Sequence, residues 1–519
     1  MTLAGNVDAL AARLADEFVA VRGELVDASL GGVLDCSGMT LASQVNAATV
    51  GLPTGTRVLL GPHGSGAELG VDETLILRPG LHYEGNGGRE RLTRLKATAG
   101  FPAGQPLVAA AGYLANAALC DNPVVVRGID IDCDGKVGSD GLVVFHFWSL
   151  FEDVQVHNCT GNGTLSATAA IRLANRGING TTVTGNSHSE NVLHDIRINA
   201  CASGASYIVQ ESYSSAGNGG SANQDGHLVG VWFAGSGALG GGRGLDFARA
   251  AGWTFRDIHM YGIGDDGAKL LACFATDLDG WYIENYGQND TAADNYHGLQ
   301  MELLRGRGST ISNVKISSGQ VDSPAANQLM NYAIKAGASQ AAMISIVGCG
   351  SYLNRTAAPT VRKTQAWRLG ESGDTGTLTV NMAGCVTDPL DGWLSPARYV
   401  RSASVTLTET PGGVRTQAYS ATPSVDPQLV GDRVKMTATG DITSYGVSTT
   451  NARDGQVLHL IVFASGATRA VTFASAIRTS TNITRGPYSI ASGQLLRAAV
   501  EYSSDAAAWV LTAATVSAT

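Results

Sequence analysis

Gly128-Ile129-Asp130-Ile131, set beside Asp153-Val154-Gln155-Val156, decides the fold. Each is a turn-prone residue, an apolar one, any residue, and a second apolar one. The phrase returns as Asp195-Ile196-Arg197-Ile198, Asp257-Ile258-His259-Met260, Gly280-Trp281-Tyr282-Ile283 and Asn313-Val314-Lys315-Ile316. Looser copies lie around Ile344-Ser345-Ile346 and Val380-Asn381-Met382. Steps between copies run from 23 to 62 residues, and the longest has room for two. A short strand returning at such intervals, with turn residues between, marks a solenoid rather than a sandwich. Alternation with period two puts both apolar residues on one face, so stacked coils line them up as interior columns. The chain is therefore read as all-β, with a parallel β-helix over residues 33–402.

Composition agrees. Of 519 residues 66 are Gly, 15% are charged and 6% aromatic, which favours turn-rich β structure over helical bundles. A formal charge of −9 without a basic cluster argues against nucleic acid as a partner. No run of about 18 apolar residues occurs, so no membrane insertion is expected. The N-terminus lacks a basic region followed by an apolar core, which predicts release by a route such as lysis rather than secretion.

The eight cysteines show no CxxC or Cys-His spacing. Cys159, Cys201, Cys349 and Cys385 each fall three positions after the second apolar residue of a copy, and Cys133 falls two after. That shared register predicts a ladder of small buried side chains. No metal and no cofactor is predicted.

Val7, Leu10, Leu14, Phe18, Val21 and Leu25 are spaced three or four apart, which predicts a helical stem over residues 1–32. The stem is too short to be stable alone and needs partner helices or a docking surface. Past residue 402, Pro411-Gly412-Gly413 and Pro423 to Pro427 suggest a linker. Strand-like segments such as Val457 to Phe463 and Leu495 to Tyr502 then predict an antiparallel, sandwich-like β-domain over 403–519.

Leu75-Ile76-Leu77, Gly80 through Gly87 and Leu95-Lys96-Ala97-Thr98 resemble the opening coils of pectate-lyase-like proteins, many of them bacteriophage tail spikes. The likeness continues through "VVVRGIDIDCDG" and "SLFEDVQVHNCTGNG" and covers about residues 33 to 400. "GQVLHLIVFASGATRAVTF" and "GQLLRAAVEYSSDAAAWVL" are similar to C-terminal modules of phage tail fibres. The resemblance implies a right-handed helix, a homotrimer, and attachment of the N-terminus to phage tail or baseplate proteins. It also implies a place in the virion and a host surface polysaccharide as partner.

A second signal recurs as Asp140-Gly141, Asp225-Gly226, Asp266-Gly267 and His297-Gly298. It reads as a turn into another strand of each coil, with Gly supplying an unusual backbone angle.

If the paired apolar residues point inward, two outward columns follow. One reads Asp130, Gln155, Arg197, His259, Tyr282, Lys315, and the other Asp132, His157, Asn199, Tyr261, Glu284, Ser317. Coils stack at about 4.8 Å, so His259 should neighbour Tyr282, and Tyr261 should neighbour Glu284. Carboxylate, imidazole and phenol side by side suit sugar binding, through hydroxyl hydrogen bonds and ring stacking. Tyr261, Tyr282, His157, Arg197, Lys315 and Trp232 are the expected substrate contacts, and Trp253 and Trp393 would extend such a platform; Trp281, at an inward position, reads as core.

Glycoside hydrolysis needs two carboxyls, about 5–5.5 Å apart for retention or about 6.5–9.5 Å for inversion. Glu284 with Asp257, or Asp265 with Asp266, offers such a pair. Elimination from a uronic acid needs a base and a group that neutralises the carboxylate, and His259, Tyr261 and Lys315 are available. Gly264-Asp265-Asp266-Gly267, Tyr296-His297-Gly298 and Ile334-Lys335 also resemble polygalacturonase-like elements. Ala333 stands where that family has Arg, and a preceding Asn-Thr-Asp is missing. Three readings follow: a spike that binds and cleaves glycan, a spike or structural tail protein that only binds, and a stand-alone depolymerase.

Overall fold

The computed structural model describes residues 32–61, 68–85, 93–181, 183, 190–211, 225–235, 241–287, 296–318, 329–353, 364–370, 374–387, 399–401, 405–410, 414–426, 433–449, 452 and 456–518. The expected stem over 1–32, save its last residue, and Trp393 lie outside the described residues.

The recurring phrase owes its first residue to backbone geometry. Gly128, Asp153, Asp195, Gly230, Asp257, Gly280 and Asn313 all have φ between 52° and 69°. That left-handed conformation suits Gly and is tolerated by Asp and Asn, which explains the choice of residue. Each one bends a strand into two. In Val125–Asp132, residues 125–127 form a first face, Gly128 bends the chain, and residues 129–132 form a second. Leu142–Val144 then forms the third.

Every face pairs in parallel with its counterpart one coil on. Along the first two faces Val125–Asp132 pairs with Leu150–His157, then Val192–Asn199, His227–Ala234 and Thr254–Tyr261. The third face is an 11-stranded sheet running from Leu75–Leu77 to Tyr399–Arg401. This is a parallel β-helix with a three-sided coil. The longest step between phrases holds one further copy, Gly230-Val231-Trp232-Phe233, in register with Ile258 and Met260.

Ile129, Val154, Ile196, Val231, Ile258, Trp281 and Val314 form one interior column, none more than 1% exposed. Full burial of one such aliphatic side chain stabilises the fold by roughly 1.5–3 kcal/mol, so the columns are the main source of stability. Trp253, expected as a platform residue, is also core: it is 1% exposed and stacks beside Phe255.

The looser copies belong elsewhere. Ile344 and Ile346 pair with Ser309 and Ile311 on the first face, and Val380 and Met382 continue that column. The second face at this level is Gly350–Leu353 and Val386–Thr387, behind the bends at Gly348 and Gly384. Alternation alone fits any strand of the coil; only the bend residue identifies the second face.

The cysteine ladder divides for the same reason. Cys133, Cys159 and Cys201 stack after the second face, with the Cys133 and Cys159 sulfurs 3.0 Å apart. Cys349 and Cys385 follow the bend glycines and pair with each other. The eight are free thiols.

Glycine in the Asp-Gly signal serves room, not backbone angle. A Cβ on Gly267 would meet the Gly298 carbonyl oxygen at 2.5 Å and Ile283 Cγ2 at 2.9 Å. Gly141 and Gly298 are similarly crowded, and none of the three has positive φ. Gly226 differs, for it leads into the first face against the ring of Trp253.

The parallel pairing runs past residue 402, since Val405–Thr410 lies on Thr377–Ala383. The C-terminal region is not purely antiparallel as expected. Val414–Gln417, Arg433–Ala438 and Val457–Ala464 pair in parallel, as do Ser424–Val425, Ile442–Val447 and Arg469–Phe473. Antiparallel pairing enters where Tyr488–Ile490 returns along Arg469–Phe473, Gln494–Ser503 along Val457–Ala464, and Ala508–Ala518 along Gln494–Ser503. These sheets share a separate core that includes Val434, Leu460, Val471 and Trp509.

Candidate functional site

The outward columns fall on the second face as the alternation requires. The first reads Asp130, Gln155, Arg197, Trp232, His259, Tyr282, Lys315 along paired positions. The second reads Asp132, His157, Asn199, Ala234, Tyr261, Glu284, Ser317. His259 therefore neighbours Tyr282, and Tyr261 neighbours Glu284.

Three aromatic side chains on this surface stay open to solvent: Trp232 at 41%, Tyr261 at 44% and Tyr282 at 38% exposure. The strand pairing sets Trp232 beside His259 and His259 beside Tyr282, one coil apart each time. The His259 and Tyr282 ring centroids are 5.1 Å apart with the planes tilted 39°, and His259 Nε2 has no hydrogen-bond partner among the described residues. Partial desolvation, then the Glu284 carboxylate beside it, push the Tyr282 hydroxyl above its ordinary value. Tyr282 is thus a neutral donor at physiological pH, facing a carboxylate acceptor. Lys315 is exposed at the end of the column.

The remaining expected residues separate from this cluster. His157 belongs to an ion cluster, with Nε2 2.9 Å from Asp130 and Nδ1 3.7 Å from Asp132. Asp132 is 1% exposed and also contacts Arg94 from the preceding coil. Arg197 lies between Gln155 and Trp232. Asp257 is the exposed bend residue, and a Cβ on Gly280 would lie 2.8 Å from its Oδ1. Asp195 stands in the same relation to Gly230 at 2.7 Å, so this is a property of the bend.

Asp265 and Asp266 lie between the second and third faces. Asp265 donates its backbone N–H to the Gly242 carbonyl, and its own carbonyl accepts from Gly287. Asp266 is buried at the turn into the third face, apart from His259 and Glu284. It accepts from the His297 backbone N–H at 2.8 Å and from Arg243 Nε at 2.9 Å, with His297 Nδ1 at 3.1 Å. Burial alone would raise its pKa, but His297 and Arg243 outweigh burial and hold the carboxyl below its usual range. An acid held ionised in this way is a poor proton donor.

Sequence reasoning missed the Gly230 copy and hence the place of Trp232 within the first column. The spacing of 35 residues from Asp195 and 27 to Asp257 was the available signal. It also missed Glu68 and Arg94, which precede Asp130 in the same column.

Among the described residues, no group of three or more His, Cys, Asp or Glu side chains is arranged to hold a metal ion. None of their helices is long and apolar enough to cross a membrane.

No family model matches this chain, and no curated protein matches it. Solved structures similar to it include the gp42 tailspike of Acinetobacter phage vb_AbaP_AS12, 11% identical, with a TM-score of 0.34 over 89% of this chain and 73% of that one. Another is the Streptococcus pneumoniae surface adhesin PfbA, 10% identical, with a TM-score of 0.34 over 91% and 93%. A third is pectate lyase Pel9A, 12% identical, with a TM-score of 0.27 over 70% and 72%. The assignment of the fold rests on the strand register of this chain itself.

Proposed function

We propose that this chain is a phage tail spike that adsorbs to a host surface polysaccharide along the outer surface of its second face. The supporting observation is the exposure of Trp232, Tyr261 and Tyr282 on successive coils, interleaved with His259, Glu284 and Lys315. Open rings on a rigid sheet give sugar faces a place to stack, and the polar groups between them give hydroxyls their partners. The resemblance of the opening coils and the C-terminal segments to tail-spike and fibre modules supports a place in the virion. In this reading residues 1–32 attach to tail or baseplate proteins, and residues 403–519 contribute to assembly of a homotrimer.

The test is to incubate the purified protein with capsule or cell-wall glycan from candidate hosts. Bound glycan, new reducing ends and the ultraviolet absorbance of an unsaturated uronate are followed together. Binding alone makes this a receptor-binding spike. Reducing ends without the absorbance add hydrolysis and direct attention to Glu284, Asp257, Asp265 and Asp266. Both signals add elimination, with His259, Tyr261 and Lys315 as the groups to vary. A failure to bind any surface glycan of a host that the particle infects overturns the proposal.

A further inference from the structure

The corner where the third face turns back into the first carries positive charge from two arginines. Three successive coils stack there. The Ala250 N–H donates to the Leu271 carbonyl at 2.8 Å, Gly252 to the Phe274 carbonyl at 2.8 Å, and Arg305 to the Cys273 carbonyl at 3.2 Å. Arg249, Phe274 and Arg305 therefore occupy the same turn of coils about 4.8 Å apart.

Phe274 orients one guanidinium. Its ring is 44% exposed and seated on Gly306, where an added Cβ would lie 2.7 Å from Cε2. The Arg305 guanidinium carbon lies 5.9 Å from the ring centroid, within the range of a cation–π contact. One turn below, Arg249 is half-buried, and its Nε, closed to solvent, has no hydrogen-bond partner among the described residues.

The surroundings of Arg249 call for negative charge. Burial, then the charge of Arg305, push its guanidinium below its ordinary value, and Asp225 opposes them only in part. Asp225 Oδ1 packs on Gly252, where an added Cβ would lie 1.8 Å from it. Glu302 accepts from the Gln300 amide at 2.7 Å. Neither Arg249 nor Arg305 forms an ion pair among the described residues. Two like charges at one turn, one of them partly desolvated, cost stability that a bound anion recovers.

The arrangement also selects the anion. A planar carboxylate matches one guanidinium fork in bidentate fashion. Two forks from different coils are better met by an acceptor whose oxygens lie in more than one plane, as in a tetrahedral phosphoryl group. Exposed Phe274 and Leu303, the latter at 47%, border the pair with apolar surface that suits the carbon side of a phosphate ester. We infer that Arg249 and Arg305 form a binding site for a phosphoryl group, with Phe274 holding Arg305 in position. The inference stands whether or not the second face binds glycan, because the two surfaces share no residue.

The test uses the full chain with three probes at low ionic strength: inorganic phosphate, dimethyl phosphate and acetate. Affinity is read by calorimetry and by phosphorus NMR line width. A phosphoryl probe is expected to bind more tightly than acetate, and its affinity to fall as chloride is added. Dimethyl phosphate binding as well as phosphate assigns the site to a diester within a polymer, whereas phosphate binding alone assigns it to a free or terminal phosphate. Arg249→Gln and Arg305→Gln are each expected to weaken the bound probe at least about tenfold. Lys435→Gln, which removes the same charge from an exposed strand position in the C-terminal region, is expected to leave it unchanged. Melting curves show that each variant folds, and the probe should raise the melting temperature of wild type more than that of either arginine variant. The inference is overturned if neither phosphoryl probe binds, if acetate binds as well, or if Lys435→Gln weakens binding as much as Arg305→Gln.

Discussion

His259 and Tyr282 face each other from adjacent coils, ring centroids 5.1 Å apart, on a surface where strand pairing leaves both side chains pointing outward. Neither residue is needed to fill the core. Replacing Tyr282 or Trp232 with Ala should leave the melting temperature nearly unchanged. Loss of one stacked ring is worth about 1 kcal/mol, so glycan affinity should fall roughly fivefold for each. Calorimetric titration of each variant with the bound glycan checks this.

Asp257 separates a structural role from a chemical one. Its φ of 53° is the bend conformation, and Gly occupies the same position at Gly230 and Gly280. Asp257→Gly should therefore fold with a stability change within about 1 kcal/mol, whereas Asp257→Val should cost about 1–2 kcal/mol. Chemical denaturation measures both. Lost glycan cleavage in a well-folded Asp257→Gly protein would assign the carboxylate a catalytic part.

Gly267 tests the crowding at the turn into the third face. An added methyl meets the Gly298 carbonyl oxygen and Ile283, both interior and unable to move freely. Gly267→Ala should destabilise the chain by about 1–3 kcal/mol. An unchanged denaturation midpoint would contradict the packing described here.

Two ion clusters give opposite pH signatures. Burial lowers the pKa of His157, but Asp130 and Asp132 outweigh it and the net shift is upward. Its contribution is complete below the ordinary value of 6.5 and is lost as pH rises through the higher folded value. Asp266 is shifted down, so its contribution is complete above 3.8 and is lost as pH falls through the lower folded value. In melting curves, the gap between wild type and His157→Gln should narrow on the alkaline side. The gap to Asp266→Asn should narrow in strong acid.

Asp121 runs the other way from Asp266. Burial pushes its carboxyl up to about 6, only partly opposed by the Gly112 N–H that it accepts at 2.7 Å. Stability should therefore fall as pH rises from about 4 to 6. Asp121→Asn, which keeps an acceptor for Gly112, should be more stable than wild type at neutral pH by up to about 3 kcal/mol. A less stable variant at neutral pH would contradict this.

The coil was legible because its interior demands a period of two and its bend demands Gly, Asp or Asn. The phrase at Asp153 or Asp195 carries both signals within four residues. Where only the first was used, at Ile344 and Val380, the strand was placed on the wrong face, and Cys349 and Cys385 went with it. The outward columns were legible because register follows from stacking, so His259 and Tyr282 could be paired from spacing alone. The parallel start of the C-terminal region was not legible, since alternation does not record strand direction. The Arg243–Asp266–His297 array was hidden because its members come from three coils whose loops differ in length.

Hydroxyl-radical footprinting tests the central claim most directly, because Trp232, Tyr261 and Tyr282 are both exposed and readily oxidised. With saturating host glycan the account predicts slower oxidation of all three, and unchanged rates at exposed aromatics elsewhere such as Tyr419. Bound glycan that leaves the oxidation of Trp232, Tyr261 and Tyr282 unaltered would contradict it.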